Sequence, residues 1–266
     1  MNFTKYFIAG KDYLLVPTES YPGCTLGSTA DMLCDRAGGI GADGIFTFQQ
    51  NNGKNIEISG LSSDGQIIRD FSSASICACF DIFSKTDVTN FTFSFENQAF
   101  SELNCDFSGN NALISYRFHP VTDNKKTDYI SKRTEIGNRI LTVTAVELSG
   151  IHGVHFSQCK NNLNINYLGA HFSRNSLFNK QGNLILAEKT GSNTYEFDFY
   201  ENGTGNPRPT ASAFMAVALA AIRTGQQKYN EKIHLVNAGN CVRIVCRSDE
   251  LFDITCDIRK VFTGST

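Results

Sequence analysis

The chain has no tryptophan, only five prolines, and no dominant charge: 24 lysines and arginines stand against 26 aspartates and glutamates. A net charge of −2 excludes a general electrostatic attraction to nucleic acid or to an anionic membrane. No apolar run reaches the roughly 20 residues that span a bilayer. The start, Met1–Gly10, lacks a basic segment followed by a long apolar stretch, so it does not read as a secretory leader. Zinc-ligand spacing is also missing. Cys77 and Cys79 form a C-x-C pair, but no second pair matches it, and no metal is expected. The nine cysteines are odd in number and scattered, which suggests reduced thiols in a cytoplasmic protein. There is no GxxxxGK[ST] phosphate loop. The crowded glycines Gly38, Gly39, Gly41 and Gly44 precede a β-type run from Ile45 rather than opening a helix, which argues against a nucleotide site and for close backbone approach or positive φ.

What is present centres on Tyr200–Gly225, YENGTGNPRPTASAFMAVALAAIRTG. Glycines and prolines make a loop, and Ala213–Ile222 is apolar on every face, so a helix buried all round is expected. Thr210 or Ser212 is placed to cap it, and Gly225 to stop it. A second helix is expected from Ser72-Ser73-Ala74-Ser75 through Phe83, after a strand at Ile56–Leu61, a turn at Ser62–Gly65 and a short run at Gln66–Phe71. Two apolar helices that start with small hydroxyl residues suggest a duplicated unit. Their positive ends, if they face one cleft, would hold one small anion. The alternative is two unrelated core helices with ordinary caps.

The remaining segments read mostly as strands. Phe3–Pro17 is a hairpin around Gly10–Asp12, and Asn90–Tyr116 alternates apolar and polar residues. Asp123–Asp128 is a polar crossing between domains. Ile140–Phe156 is a strand pair in which His152 and His155 point to opposite faces, with a structural role expected for each. Leu168–Leu177 reads as a short helix. Asn183–Ala187, Tyr195–Tyr200, His234–Cys246 and Leu251–Cys256 complete a second sheet.

Read together, these segments resemble diaminopimelate epimerases. Leu33–Gly44, LCDRAGGIGADG, matches that family's glycine-rich signature, and FTKYFIAGKDYLLV matches its first hairpin, with Gly10-Lys11-Asp12 for Gly-Asn-Asp. Ser62–Gln66 is similar to Asn-Ala-Asp-Gly-Ser, Gly150–His155 to Asn-Pro-His-Ala-Val, and Glu201–Asn206 to Glu-Arg-Gly-x-Gly-Glu. Asn183 falls at the family's substrate-binding asparagine. The likeness runs in order over almost the whole chain.

The resemblance implies an α/β (α+β) fold of two similar domains, each a curled mixed sheet around a central helix, with residues 1–120 plus 257–266 in one and 121–256 in the other. It implies no cofactor. It also implies inversion of an amino-acid α-carbon by two cysteines, which suit the task because helix N-termini lower a thiol's pKa. Here the two positions are Phe71 and Thr210. The motif Cys-Gly-Asn-Gly-x-x-Cys aligns with Phe71–Cys77, and Ala-Cys-Gly-Thr-Gly with Pro209–Ala213. Phenylalanine cannot move a proton, and a threonine hydroxyl needs an activating partner, none of which is evident beside Thr210. Other family asparagines become Lys11, Ser62, Ser73 and Gly150, and the arginine after Glu201 becomes Asn202.

The expected ligand-facing set is therefore Lys11, Ser62, Ser72, Ser73, Ala74, Gly150, Asn183, Glu201, Asn202, Ala211 and Ser212. Three functions stay open. One is a non-catalytic relative that binds a small amino-acid-like carboxylate, a protein partner, or nothing. Another is an isomerase using carboxylates, with Asp64, Asp70 or Glu201 as candidates; Thr210–Ala213, TASA, resembles the Thr-Gly-Ser-Ala of phenazine-biosynthesis-type isomerases, whose preceding aspartate is replaced by Pro207. The third is a true diaminopimelate epimerase of lysine biosynthesis recruiting Cys77 or Cys79. A homodimer is left open.

Overall fold

The computed structural model describes residues 1–20, 26–96, 98–118, 131–175, 182–203, 205, 207–249 and 251–266. The expected crossing at Asp123–Asp128, Cys24, and positions 204 and 206 of the Glu201–Asn206 motif lie outside these residues. In chain order the elements are β1 (Asn2–Ile8), β2 (Lys11–Pro17), α1 (Leu26–Cys34), β3 (Gly44–Asn51), β4 (Asn55–Ser62), α2 (Ser72–Thr86), β5 (Asn90–Phe95), β6 (Gln98–Ser108) and β7 (Asn111–Phe118). There follow β8 (Lys132–Ile136), β9 (Arg139–Glu147), β10 (Ile151–Ser157), α3 (Ile165–Phe172), β11 (Asn183–Lys189), β12 (Thr194–Tyr200), α4 (Ala211–Arg223), β13 (Lys232–Asn237), β14 (Asn240–Cys246) and β15 (Phe252–Ser265).

Two compact units result. One runs from Met1 through β7 and takes in Thr255–Thr266; the other runs from β8 to Ile254. In the first unit the strand order is β1-β2-β3-β4-β5-β6-β7-β15, and β15 also pairs with β1, so the sheet closes on itself like a barrel. The pairs β2–β3 and β4–β5 are parallel, with α1 and α2 as their crossovers, as parallel neighbours require. The second unit repeats the scheme. There β10–β11 and β12–β13 are parallel, with α3 and α4 as crossovers, and antiparallel hairpins separate them. Each unit is thus a curled mixed sheet packed on one central helix.

The central helices follow from composition. In α4 every residue from Ala211 to Ile222 is buried. Its six alanines let strands approach on all sides, while Phe214 supplies bulk, packing edge-on to Phe197 at 5.0 Å. Burying such a ring contributes about 1.5–3 kcal/mol. The helix stops where expected: Gly225 adopts φ +74°, its N–H donates to Ile222 O at 2.9 Å, and the Gln226 N–H donates to Ala221 O at 2.8 Å. This double bond pattern is a Schellman cap. The N-terminus differs from expectation. Thr210 stands at the N-cap, but its hydroxyl does not cap the helix backbone. It lies 3.1 Å from the Ser212 hydroxyl instead.

Three other sequence expectations change. Gln66–Phe71 is not a strand; only Ile67 bridges to Leu61, and its side chain is exposed. The short helix expected at Leu168–Leu177 starts earlier, at Ile165, because Asn164 accepts the Tyr167 N–H at 3.0 Å and caps it; it ends at Phe172, and positions 176 and 177 lie outside the described residues. Helix α1 was not anticipated, although Ala30, Leu33 and Cys34 fall at i, i+3 and i+4 and are all buried in one cluster. The close approach expected of the glycine-rich stretch is present: a Cβ on Gly39 would lie 2.2 Å from Met32 O.

Candidate functional site

In the first unit, Tyr13 pairs with Gly44 and Gly44 with Ser62. That register brings Lys11, Asp12, Asp43 and Ser62 to one end of β2, β3 and β4. Asp12 and Asp43 are locked together there. The Asp12 N–H donates to Asp43 Oδ2 at 2.9 Å, and the Asp43 N–H donates to Asp12 O at 2.8 Å. Arg36 reaches both carboxylates, at 2.7 Å and 2.9 Å, and Lys5 lies 3.1 Å from Asp12. Burial alone would raise the Asp12 pKa, but hydrogen bonds from Arg36, Asp43 and Lys5 hold it well below the usual carboxylate range. Burial pushes Asp43 the other way. The Arg36 and Asp43 of the glycine-rich signature thus serve as a clasp on the first hairpin.

The acidic candidates of this unit are engaged in local structure. Asp64 is exposed and takes the Ser62 hydroxyl within its turn; Ser62 also lies 3.1 Å from Gln66 O. Asp70 Oδ1 accepts the Ser72 N–H at 3.1 Å, so an anion of the chain itself already stands at the start of α2. Phe71 is 2% exposed, with its ring 6.0 Å from that of Phe46 and 5.3 Å from that of Phe95. Ser72, Ser73 and Ala74 are buried behind it. Cys77 and Cys79 are fully buried, and burial raises both thiols well above their ordinary value, reinforced for Cys79 by a hydrogen bond with Cys105. Neither has thiolate character.

The second unit gathers its candidates more tightly. Asn183 Oδ1 accepts the Asn202 N–H at 2.9 Å, and a Cβ on Gly150 would lie 3.9 Å from Asn183 Nδ2. Glu201 and Gly205 exchange backbone hydrogen bonds at 2.6 and 2.9 Å, which fixes the loop. His152 is the register partner of Asn183 on the parallel β10–β11 pair. Its Nε2 lies 3.1 Å from Ser212 Oγ, and Ser212 Oγ lies 3.1 Å from Thr210 Oγ1. Gly150, His152, Asn183, Glu201, Asn202, Thr210, Ala211 and Ser212 therefore form one neighbourhood at the start of α4.

The structure adds two contacts to the sequence reading. Thr210 has a hydroxyl partner in Ser212, which in turn lies beside an imidazole. His152, for which a structural role is expected, is buried and joined to the start of α4, a contact such a role accommodates; the available signal was its place as the histidine of the Gly150–His155 match. His155 is separate and half-buried, with Nδ1 2.9 Å from Thr142 O. No group of three or more metal-ligating side chains occurs among the described residues.

A duplicated curled mixed sheet, each copy packed on a buried helix, is the α+β fold seen in a group of epimerases and isomerases. The comparisons agree with that class. No family model matches the chain. The curated relatives are diaminopimelate epimerases: that of Caldanaerobacter subterraneus subsp. tengcongensis is 21% identical over 99% of this chain and 98% of its own length, and that of Synechocystis is 22% identical over the same shares. Among solved structures, a phenazine biosynthesis PhzC/PhzF protein from Clostridium difficile superposes with TM-score 0.69 at 13% identity, covering 100% of this chain and 99% of that one. A hydroxyproline epimerase from Agrobacterium vitis, with bound trans-4-hydroxy-L-proline, gives TM-score 0.69 at 9% identity, covering 99% and 91%. The chain is thus similar to diaminopimelate epimerases over nearly its whole length, and its fold matches that of these solved proteins.

Proposed function

We propose that this protein binds a small amino-acid-like carboxylate in its second unit and does not invert diaminopimelate by thiol chemistry. The observation that carries the reading is Phe71. Where the relatives' motif has a cysteine, this chain has a ring packed against Phe46 and Phe95. No titratable atom stands there. At the other matched position a threonine hydroxyl replaces the thiol, and a hydroxyl is essentially unionised near neutral pH.

The ligand reading rests on what is kept. Asn183 and the Glu201–Asn202 step remain linked beside the start of α4, whose positive end favours a carboxylate. Glu201 and Asn183 are suited to an ammonium group or another donor. The carboxylate-based isomerase draws no support from Asp64 or Asp70, whose oxygens take Ser62 and the Ser72 N–H. A recruited Cys77 or Cys79 is disfavoured by burial.

Incubation with each diaminopimelate stereoisomer in deuterated water, read by NMR, tests the first part. No incorporation above the solvent background is expected, and rapid incorporation overturns it. Calorimetry against amino acids and dicarboxylic acids tests the second. A bound carboxylate weakened by Asn183→Ala is the expected result, and a flat response across the panel overturns it.

A further inference from the structure

We propose that a cavity beside the C-terminal end of α2, in the first unit, binds a linear alkyl diammonium ion, with Asp81 holding one ammonium group and Glu19 the other. The cavity has a volume of about 630 Å³. Pro17, Phe48 and Ile82 give it apolar walls. Pro17 and Phe48 are register partners on the parallel β2–β3 pair, and Phe48 and Ile82 are buried. Its charged lining residues are Asp81, Lys85 and Glu19. Glu19, Gln49 and Gln50 are exposed, so the cavity opens to solvent on their side.

Asp81 dictates the ligand. Its side chain is only 3% exposed, yet it lines the cavity. The Tyr6 hydroxyl donates to Asp81 Oδ1 at 2.7 Å, and the Lys85 ammonium donates to Oδ2 at 2.6 Å. The carboxylate therefore already accepts a primary ammonium at hydrogen-bond distance. That ammonium comes from a side chain that is 59% exposed and four residues along the same helix. An i,i+4 pair of this kind is weakly stabilising, so Lys85 can turn to water at small cost. The buried carboxylate it leaves needs another cation. The cavity also reaches Thr86, the last residue of α2, where the negative end of the helix favours positive charge. With Lys85 turned out, the cavity offers two carboxylates together with apolar walls. Two ammonium groups joined by methylenes satisfy both, through charge-assisted hydrogen bonds at the ends and burial of the chain.

The test is calorimetry of the full chain with 1,4-diaminobutane and 1,5-diaminopentane, using 1-aminobutane and 1,5-pentanediol as singly charged and neutral probes. The diamines should bind, the monoamine should bind more weakly, and the diol should give no signal. Glu19→Gln should weaken the diamines about two- to fivefold, the range for an exposed ion pair, and leave the monoamine unchanged. Asp81→Asn should weaken every amine by about a hundredfold or more. Lys85→Ala removes the competing ammonium and should tighten every amine at least about twofold. Glu19 is exposed, so Glu19→Gln keeps the test decisive if Asp81→Asn fails to fold. Diamine binding that Glu19→Gln leaves unchanged overturns the proposal. A flat response from the wild type, or binding that appears only in Lys85→Ala, also overturns it and leaves Lys85 as the fixed partner of Asp81.

Discussion

Tyr6 donates its hydroxyl to Asp81 Oδ1 at 2.7 Å, tying β1 to the buried face of α2, while Lys85 holds the other oxygen of the same carboxylate at 2.6 Å. Burial, and then Asp81, raises the Tyr6 pKa far above its ordinary value. The folded state keeps Tyr6 neutral, so this stabilisation is fully present below the usual tyrosine pKa of about 10 and is lost as pH rises above it. Tyr6→Phe should cost about 1–3 kcal/mol at neutral pH, because Asp81 loses a buried partner. It should also flatten the alkaline loss of stability. Urea unfolding across pH checks both, and an unchanged alkaline slope would refute the assignment.

Phe71→Ala should cost about 3–5 kcal/mol, the range for emptying a buried phenylalanine site. Denaturant unfolding reads it directly. Phe71→Cys combined with Thr210→Cys should leave diaminopimelate exchange at background, because Lys11, Ser62, Ser73, Gly150 and Asn202 still differ from the relatives and proton transfer needs hydrogen-bond-scale positioning. Recovery of exchange in the double variant would show that only the two thiols were missing.

The clasp on the first hairpin predicts acid behaviour. Asp12 is held below its ordinary pKa, so its contribution is present above about pH 4 and is lost as pH falls further. Asp43, raised by burial, has the opposite sign and resists ionisation. Asp12→Asn should cost roughly 1–3 kcal/mol at neutral pH, less than a fully buried pair because Arg36 is more than half exposed. It should also reduce the acid sensitivity of unfolding, and Asp43→Asn should not. Thermal melts at pH 3 to 7 would decide it.

The thiols should divide sharply by burial. Cys159 and Cys241 are exposed, whereas Cys77 and Cys79 are buried with raised pKa values. Alkylation of native protein followed by peptide mass spectrometry should label the first two and spare the second two. Fast labelling of Cys77 would reopen the recruited-thiol reading.

Much of the second unit's local structure was legible in the sequence. The apolar run Ala213–Ile222 and the stop at Gly225 required a short buried helix, because both signals act within a few residues of chain. The phenylalanine at position 71, which the resemblance aligns with a family cysteine, was equally readable from motif order. Helix α1 was missed despite a readable i, i+3, i+4 pattern at Ala30, Leu33 and Cys34.

Contacts between distant parts of the chain could not be read that way. The pairing of Asn2 with Ser265 that closes the first sheet depends on strand twist and register summed over a whole unit. Whether Thr210 caps its helix or turns to Ser212 is a choice between rotamers, decided by what packs around it. His152 lies sixty residues before Ser212, and the parallel pairing of β10 with β11 sets it beside the start of α4. Sequence determined which chemical groups this protein has and in what order they follow one another. Only the tertiary structure decided which of them meet, because side-chain direction and long-range pairing are fixed by packing and not by spacing along the chain.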